Sequence, residues 1–277
     1  MDVFVPTTLE EALEIRAAHP EAVPVAGGTD LWVELNARRT RPAALLDLSR
    51  VGELRRWERR NGTVFLGAGV TFTRVIAELG EFTALVEAAR TIGSPQIRNR
   101  ATIGGNIGTA SPAGDGIAAL AAYDAEVIAG SAGGARRRIP LDAFLVGPKR
   151  TSLAADELIL GVEWIASRGP GSFVKVGRRN AMVIAVASAC LQLDEGAHGV
   201  RLALGSVGPT VLRARRAEEL AAGLDWSDLN GGLEEFGRLA AAGCSPIDDL
   251  RGTAAYRRHA VGVLARRALA GALEARC

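Results

Sequence analysis

The chain has 277 residues, of which 48% are hydrophobic and 23% are charged, and its formal net charge is +2. This composition indicates a globular protein with a substantial core and room for two domains. The near balance of 33 basic and 31 acidic residues, together with only 5% aromatic residues, argues against a nucleic-acid-binding protein.

The cysteines are few and far apart. Cys190, Cys244 and Cys277 have none of the close spacings that hold iron–sulfur clusters or structural zinc, so we expect reduced thiols and no metal site. The first residues, MDVFVPTTLEEA, lack the pattern of a signal peptide, and the longest apolar run, from Met182, is too short to span a bilayer. We therefore expect a cytoplasmic protein without a membrane span.

The first fifty residues predict strands that alternate with helices. Strands are expected at residues 3–5, 23–25 and 43–49. Thr8 and Glu11 fit a capping box for a helix that begins at Leu9, and residues 31–38 predict a second helix. This alternation predicts a small parallel sheet.

A second block begins near Arg55. A strand at 63–69 ends in Gly-Ala-Gly, and a helix follows from Thr71. Phe72 occupies the third glycine position of a dinucleotide fingerprint, so close packing of the helix on the strand explains these glycines better. The block continues with predicted helices at 82–91 and 117–125 and strands at 125–130, 135–140 and 157–164, with a Gly133-Gly134 turn between the first two strands.

The pattern changes after SRGPGS at residues 167–172. Three consecutive strands are predicted, followed by three helices, which is typical of an α+β unit with an antiparallel sheet. The strands are expected at 172–177, 183–194 and 199–208, and the helices at 216–224, 233–243 and 256–275.

Two stretches are unusually rich in glycine. They are AGGTD at 26–30 and ATIGGNIGTASPAGD at 101–115, and neither has Rossmann or P-loop spacing. We interpret both as tight turns whose backbone N–H groups can converge on a diphosphate between them. Their side chains add further donors, from Thr29, Thr102, Asn106 and Thr109. The simpler alternative is that the glycines mark ordinary turns and that Asp30 and Asp115 cap the next helices.

Several segments, in this order and spacing, resemble the FAD-binding subunit of molybdenum-containing hydroxylases, the family of xanthine, CO and nicotine dehydrogenases. The similar segments are AGGTDL, IRNRATIGGNIGTASPAGD, LDAFLVGPKRTSLAADELILGVEW, ALGSVGPTVLRARRAEELAAG and RGTAAYRRHAVGVLARRAL. The resemblance implies an α+β fold. A vanillyl-alcohol-oxidase (PCMH)-type FAD-binding domain would occupy residues 1–170, with α/β subdomains at about 1–54 and 55–170. A C-terminal domain like that of the CO dehydrogenase flavoprotein would occupy residues 171–277.

The resemblance also implies which residues bind FAD. The first loop corresponds to Pro24, Val25, Ala26, Gly27, Gly28, Thr29, Asp30 and Leu31, and the second to Thr102, Gly104, Gly105 and Asn106. Asp115 corresponds to a carboxylate that contacts the cofactor, and its chemistry suits a hydroxyl of the sugar chain. Ile92 and Ile159 correspond to apolar positions that line the flavin, although isoleucines at such places commonly belong to a core. Lys175 corresponds to a lysine near the flavin, where we expect it to stabilise negative charge on the reduced ring.

The same resemblance implies an FAD-dependent oxidoreductase subunit without catalytic residues of its own, because FAD carries the redox chemistry. The substrate would be oxidised at a molybdenum cofactor on one partner subunit. Electrons would pass through iron–sulfur clusters on another partner to FAD and then to NAD or another acceptor, in a dimer of heterotrimers. GGNIGTASPAGD is more similar to the xanthine dehydrogenase branch, which favours xanthine or a related N-heterocycle as substrate. The alternatives are a stand-alone FAD-dependent oxidase or reductase of this fold and a flavin-free scaffold subunit.

Overall fold

The computed structural model describes residues 1–227 and 232–276. Cys277, one of the three cysteines expected to be reduced thiols, lies outside the described residues. The strands are β1 (Asp2–Phe4), β2 (Val23–Val25), β3 (Ala44–Asp47), β4 (Trp57–Arg60), β5 (Thr63–Gly67), β6 (Glu126–Gly130), β7 (Arg136–Pro140), β8 (Leu145–Gly147), β9 (Arg150–Thr151), β10 (Leu158–Ile165), β11 (Gly171–Val176), β12 (Ala187–Asp194), β13 (Gly199–Gly205) and β14 (Leu212–Arg213). The helices are α1 (Leu9–Ala18), α2 (Leu31–Asn36), α3 (Phe72–Glu78), α4 (Thr83–Thr91), α5 (Pro95–Arg100), α6 (Ile103–Thr109), α7 (Asp115–Ala122), α8 (Leu141–Phe144), α9 (Arg215–Ala222), α10 (Gly232–Ala242) and α11 (Ala254–Glu274). No helix in these ranges has the length and hydropathy to cross a membrane.

The N-terminal sheet is the small parallel sheet that the sequence predicts, in the order β1-β3-β2. Helix α1 begins at Leu9 because the Thr8 hydroxyl accepts the Glu11 N–H at 3.2 Å. The Glu11 carboxylate in turn accepts the N–H of Thr7 at 2.7 Å, one residue before the partner that a capping box requires. Helix α2 ends at Asn36, two residues earlier than predicted.

The second sheet is antiparallel, in the order β4-β5-β10-β6-β7. Strand β4 is missing from the sequence prediction because this edge strand reads WERR and has no buried residue. The glycines at the end of β5, Gly67 and Gly69, are needed for a different reason from the one predicted. A Cβ at Gly67 would lie 2.3 Å from the Leu54 carbonyl oxygen, so these glycines accommodate the backbone of residues 54–56 and not the following helix.

The third sheet is antiparallel, in the order β11-β12-β13-β14, and helices α9 to α11 cover one face. It has the three predicted strands and a short fourth strand, β14. Strand β12 begins at Ala187, four residues later than predicted. Alanines and leucines of α11 pack on this sheet with Phe236 of α10, which is fully buried. The predicted division at residues 170/171 falls just before β11.

The glycine-rich stretch at 101–115 is not the open turn that the sequence predicts, because residues 103–109 form helix α6. Thr102 caps this helix by accepting the Gly105 N–H at 3.1 Å. Ile103 and Ile107, four residues apart, are 1% and 0% exposed and fix one face of the helix in the core. A Cβ at Gly104 would lie 2.5 Å from the Ala68 Cβ, so glycine allows α6 to approach the residues after β5.

Candidate functional site

The first glycine-rich loop, residues 26–30, joins β2 to α2 and carries free backbone donors. Gly28 has a φ of +73°, in the left-handed region that favours glycine, and a Cβ there would lie 2.2 Å from the Trp32 Nε1. Among the described residues, the N–H groups from Gly27 to Leu31 donate to no acceptor in the chain. Five consecutive unpaired amides at the start of a helix form a surface suited to anionic oxygens.

In the second stretch, unlike the first loop, the backbone N–H groups already donate to acceptors within the chain. The N–H of Ile103 donates to the Val70 carbonyl at 3.0 Å and that of Gly104 to the Ala68 carbonyl at 2.8 Å. The next two amides donate to Thr102, at its hydroxyl and its carbonyl. Helix α6 therefore offers side chains and an open glycine face, with Gly105 and Gly108 exposed, where the sequence predicts free backbone N–H groups.

The structure brings the two stretches into direct contact. A Cβ at Gly27 would lie only 2.0 Å from the carbonyl oxygen of Arg100, so the backbones touch at this point. The Thr109 hydroxyl lies 3.2 Å from the Asp30 carboxylate and joins α6 to the first loop. Asp30 precedes α2 but makes no side-chain cap, so the alternative interpretation of this residue is wrong.

A cavity of about 200 Å³ opens where these backbones meet. Its wall includes residues from both stretches and three arginines, namely Ala26, Gly27, Thr102, Arg55, Arg74 and Arg100. Arg74 is held by Glu78 through two contacts of 2.7 Å, and Arg55 donates to the Ser49 carbonyl. None of the described hydrogen bonds and ion pairs involves the Arg100 guanidinium. Of these three arginines, Arg100 is therefore the one that is available to bind an anion. Arg100 stands in IRNR directly before the glycine-rich stretch but is not among the site residues predicted from the sequence.

Asp115 and Lys175, 60 residues apart in sequence, form a buried ion pair. The Lys175 Nζ lies 2.6 Å from the Asp115 Oδ2, and the two side chains are 9% and 7% exposed. The Thr91 hydroxyl lies 3.2 Å from the same carboxylate oxygen. Burial raises the pKa of Asp115 above its ordinary value, whereas the Lys175 ammonium and the Thr91 hydroxyl lower it. Lys175 is therefore buried and paired and not a solvated lysine, although it lies on a strand.

The two isoleucines lie beside this region. Ile92 directly follows α4 as its C-cap, is half-buried and packs against the large core cluster. Ile159 on β10 is also half-buried, and its Cδ1 would contact a Cβ placed on Gly108 of α6 at 3.4 Å. Ile159 presents apolar surface near the open face of α6, and Ile92 does so beside Thr91. Such surface suits residues that line a ligand, although both isoleucines also contact the core.

Two family models match the chain. Residues 1–164 match the FAD binding domain in molybdopterin dehydrogenase, and residues 172–272 match the CO dehydrogenase flavoprotein C-terminal domain. The chain belongs to the molybdopterin dehydrogenase FAD-binding family. It is an FAD-dependent oxidoreductase subunit of the molybdenum hydroxylase type, as the sequence resemblance predicts.

Relatives of this FAD subunit match along most of their length. The chain is 34% identical to the nicotinate dehydrogenase FAD-subunit of Eubacterium barkeri, over 80% of the chain and 79% of that relative. It is 30% identical to the putative xanthine dehydrogenase FAD-binding subunit of Escherichia coli (strain K12), over 97% and 94%. A solved structure of the carbon monoxide dehydrogenase from Hydrogenophaga pseudoflava superposes with a TM-score of 0.91 at 31% identity, covering 100% of the chain and 98% of that one.

The residues of this FAD subunit fit the cofactor. The unpaired amides from Gly27 to Leu31 suit the diphosphate, and the Arg100 guanidinium can add a charge-assisted contact. The Oδ1 atoms of Asn106 and Asp115 are buried and have no donor among the described residues. Buried acceptors of this kind require partners, and the hydroxyls of the FAD sugar chain are donors of the right chemistry. FAD, when bound, supplies the electron-transfer chemistry, while the chain binds, orients and shields it.

Proposed function

We propose that this subunit passes electrons within a multi-subunit molybdenum hydroxylase. It takes them, through FAD, from iron–sulfur clusters on a partner subunit and delivers them to NAD or another acceptor. The observation that carries this proposal is the coverage of the relatives. The chain spans 94% of a xanthine dehydrogenase FAD-binding subunit, including the C-terminal domain that a stand-alone flavin enzyme of this fold does not require.

For the site residues other than Lys175, we keep the roles that the sequence suggests, with one change of emphasis. Within the first loop, at residues 24–31, the backbone donors come from residues 27–31, while Thr102, Asn106 and Thr109 contribute side chains from or beside α6. Gly104 and Gly105 keep this helix close to the protein and open towards the cofactor. Ile92 and Ile159 supply apolar contacts, and Asp115 accepts from a cofactor hydroxyl.

For the whole complex, we propose xanthine or a related N-heterocycle as substrate. Two of the relatives described above are named for nicotinate and xanthine dehydrogenases, and both of these substrates are N-heterocycles. Such a substrate would bind at the molybdenum cofactor of a partner subunit. We further propose a dimer of heterotrimers in the cytoplasm, with the domain division at residues 170/171.

The test is purification of the tagged chain from its native host, followed by metal analysis and anaerobic reduction. Molybdenum and iron should copurify in fixed proportion with flavin. Addition of xanthine or nicotinate should bleach both the cluster and the flavin absorption, and NAD should restore both. A flavoprotein that lacks both metals but reacts with its own substrate would contradict the proposal in favour of a stand-alone enzyme. A colourless protein would favour the scaffold.

Gly105→Leu provides a control that separates the flavin from the metal centres. This substitution on the open face of α6 should leave the partners bound and the clusters reducible by substrate. Transfer to NAD should be lost together with the flavin.

A further inference from the structure

The Lys175 ammonium group is fully used within the protein. Its Nζ donates to the Asp115 Oδ2 at 2.6 Å, to the Thr91 carbonyl at 3.0 Å and to the Val183 carbonyl at 3.1 Å. An ammonium group has three N–H donors and no acceptor. Three acceptors within the chain therefore leave Lys175 no N–H for a flavin atom.

Asp115 has the opposite arrangement, with one oxygen saturated and the other vacant. Its Oδ2 receives both the Lys175 ammonium and the Thr91 hydroxyl. Its Oδ1 is buried and has no donor among the described residues. Two contacts on one oxygen fix the orientation of the carboxylate, so that the vacant oxygen keeps a defined position.

The contacts also join distant parts of the chain. Asp115 is the first residue of α7 and Thr91 the last residue of α4, whereas Lys175 lies on β11 of the third sheet. Val183 lies in the segment that connects β11 to β12. The third sheet therefore reaches into the region of the proposed cofactor site and holds one of its residues.

We infer that Lys175 is a positioning residue, which keeps Asp115 ionised and oriented so that its Oδ1 accepts a hydrogen bond from a hydroxyl of bound FAD. Lys175 acts on the cofactor only through this carboxylate. The inference rests on the cofactor site proposed above, but it does not depend on the partner subunits or on the substrate.

Removal of the Lys175 charge should make Asp115 easier to protonate. A buried carboxylate without its counterion takes up a proton more readily, because burial disfavours the charged form. Cys190 on β12 is a further titratable group near Asp115, and Cys190 is in turn near Glu87 on α4. Burial raises the pKa of the Cys190 thiol far above neutrality, so the thiol stays protonated, and the Glu87 carboxylate accepts the Phe173 N–H at 2.7 Å. Asp115 is therefore the carboxylate that loses its counterion in Lys175→Met.

The experiment measures the Kd for FAD of the full-length, deflavinated chain by quenching of flavin fluorescence across the neutral pH range. For Lys175→Met, Kd should rise as pH falls below the new pKa of Asp115, by at most about tenfold per pH unit, until it levels off at the Kd of the double variant with Asp115→Asn, and it should approach the wild-type value at alkaline pH. For the wild type and Lys175→Arg, the Kd for FAD should not change with pH across this range. In an Asp115→Asn background, Lys175→Met should change Kd less than twofold, because the lysine acts through the carboxylate.

Arg213→Gln is the matched control, since Arg213 also links the third sheet to the end of α7. Its guanidinium donates to the Ala121 carbonyl at 3.0 Å and to Asp124, and its side chain is 10% exposed. This variant loosens the same contact between sheet and helix without touching Asp115, so its Kd profile should stay flat. If the Kd for FAD rises with falling pH in Arg213→Gln as much as in Lys175→Met, then Lys175 only connects the sheet to the helix and does not position Asp115.

Other outcomes are equally decisive. A rise in Kd that is the same at every pH and persists in the Asp115→Asn background would show direct contact between Lys175 and FAD and overturn the inference. An unchanged Kd in Lys175→Met would also overturn it. Failure of the wild type to bind FAD would instead refute the proposed function. If Lys175→Met alone does not fold, the double variant, which buries no unpaired charge, still gives the comparison with Asp115→Asn.

Discussion

Gly27→Ala tests whether the contact between the two glycine-rich stretches supports the fold. A Cβ at this position would lie 2.0 Å from the Arg100 carbonyl oxygen and 2.6 Å from its carbon. Ordinary contact begins near 3.4 Å, so the backbones must separate by roughly 1.4 Å. Because both partners are backbone atoms, no rotamer change relieves the clash. We expect a loss of about 2–3 kcal/mol in the free energy of unfolding, at the upper end of the range for overpacked sites.

The measurement is urea unfolding of the deflavinated protein, followed by circular dichroism. Gly80→Ala is the matched control, because a Cβ at Gly80 meets no atom within 4 Å and the residue has no left-handed φ. The control should stay within about 0.5 kcal/mol of the wild type. If Gly27→Ala is as stable as Gly80→Ala, the two stretches are not in contact as described, and the joint site loses its basis.

Three further predictions concern α6 and Asp115. Thr102→Ala should cost about 1 kcal/mol of unfolding free energy by removing the helix cap, whereas Thr102→Ser should restore most of it in the same urea assay. Gly105→Leu should leave stability within about 1 kcal/mol of the wild type, because the site is exposed and helical, but the purified protein should be poor in flavin; normal flavin content would remove Gly105 from the site. The folded-state pKa of Asp115 is raised, so its contribution to stability is greatest below the unfolded pKa and declines as pH rises through the folded pKa. The unfolding free energy of the wild type relative to Asp115→Asn should therefore increase as pH falls through the folded-state pKa of Asp115 towards its unfolded value, and the opposite slope would contradict the burial of this carboxylate.

Elements with a periodic or capped pattern could be predicted from the sequence. The N-terminal parallel sheet follows from short apolar runs that alternate with helical segments, and the start of α1 follows from Thr8. The turn between β6 and β7 follows from Gly133 and Gly134, whose φ angles are +77° and +82°. In these cases the determinants lie within a few residues of each other, where local preferences suffice.

Helix α6 could not be predicted from local preferences, because three glycines among seven residues oppose a helix. Tertiary contacts outweigh that cost, through burial of Ile103 and Ile107 and through the close approach to Ala68 that glycine permits. The same limit applies to the pair of Asp115 and Lys175. The family resemblance implies that each lies near the cofactor, but no local pattern indicates that they bind each other across 60 residues.

The unpaired amides of the first loop have a consequence for how cofactor binding responds to solution conditions. Backbone N–H groups do not titrate near neutral pH. The anionic part of the cofactor would then be held equally well in mildly acidic and mildly alkaline solution. Any pH sensitivity of FAD retention in this subunit would come from the other end of the site, where we propose that a single buried carboxyl, Asp115, contacts the sugar chain.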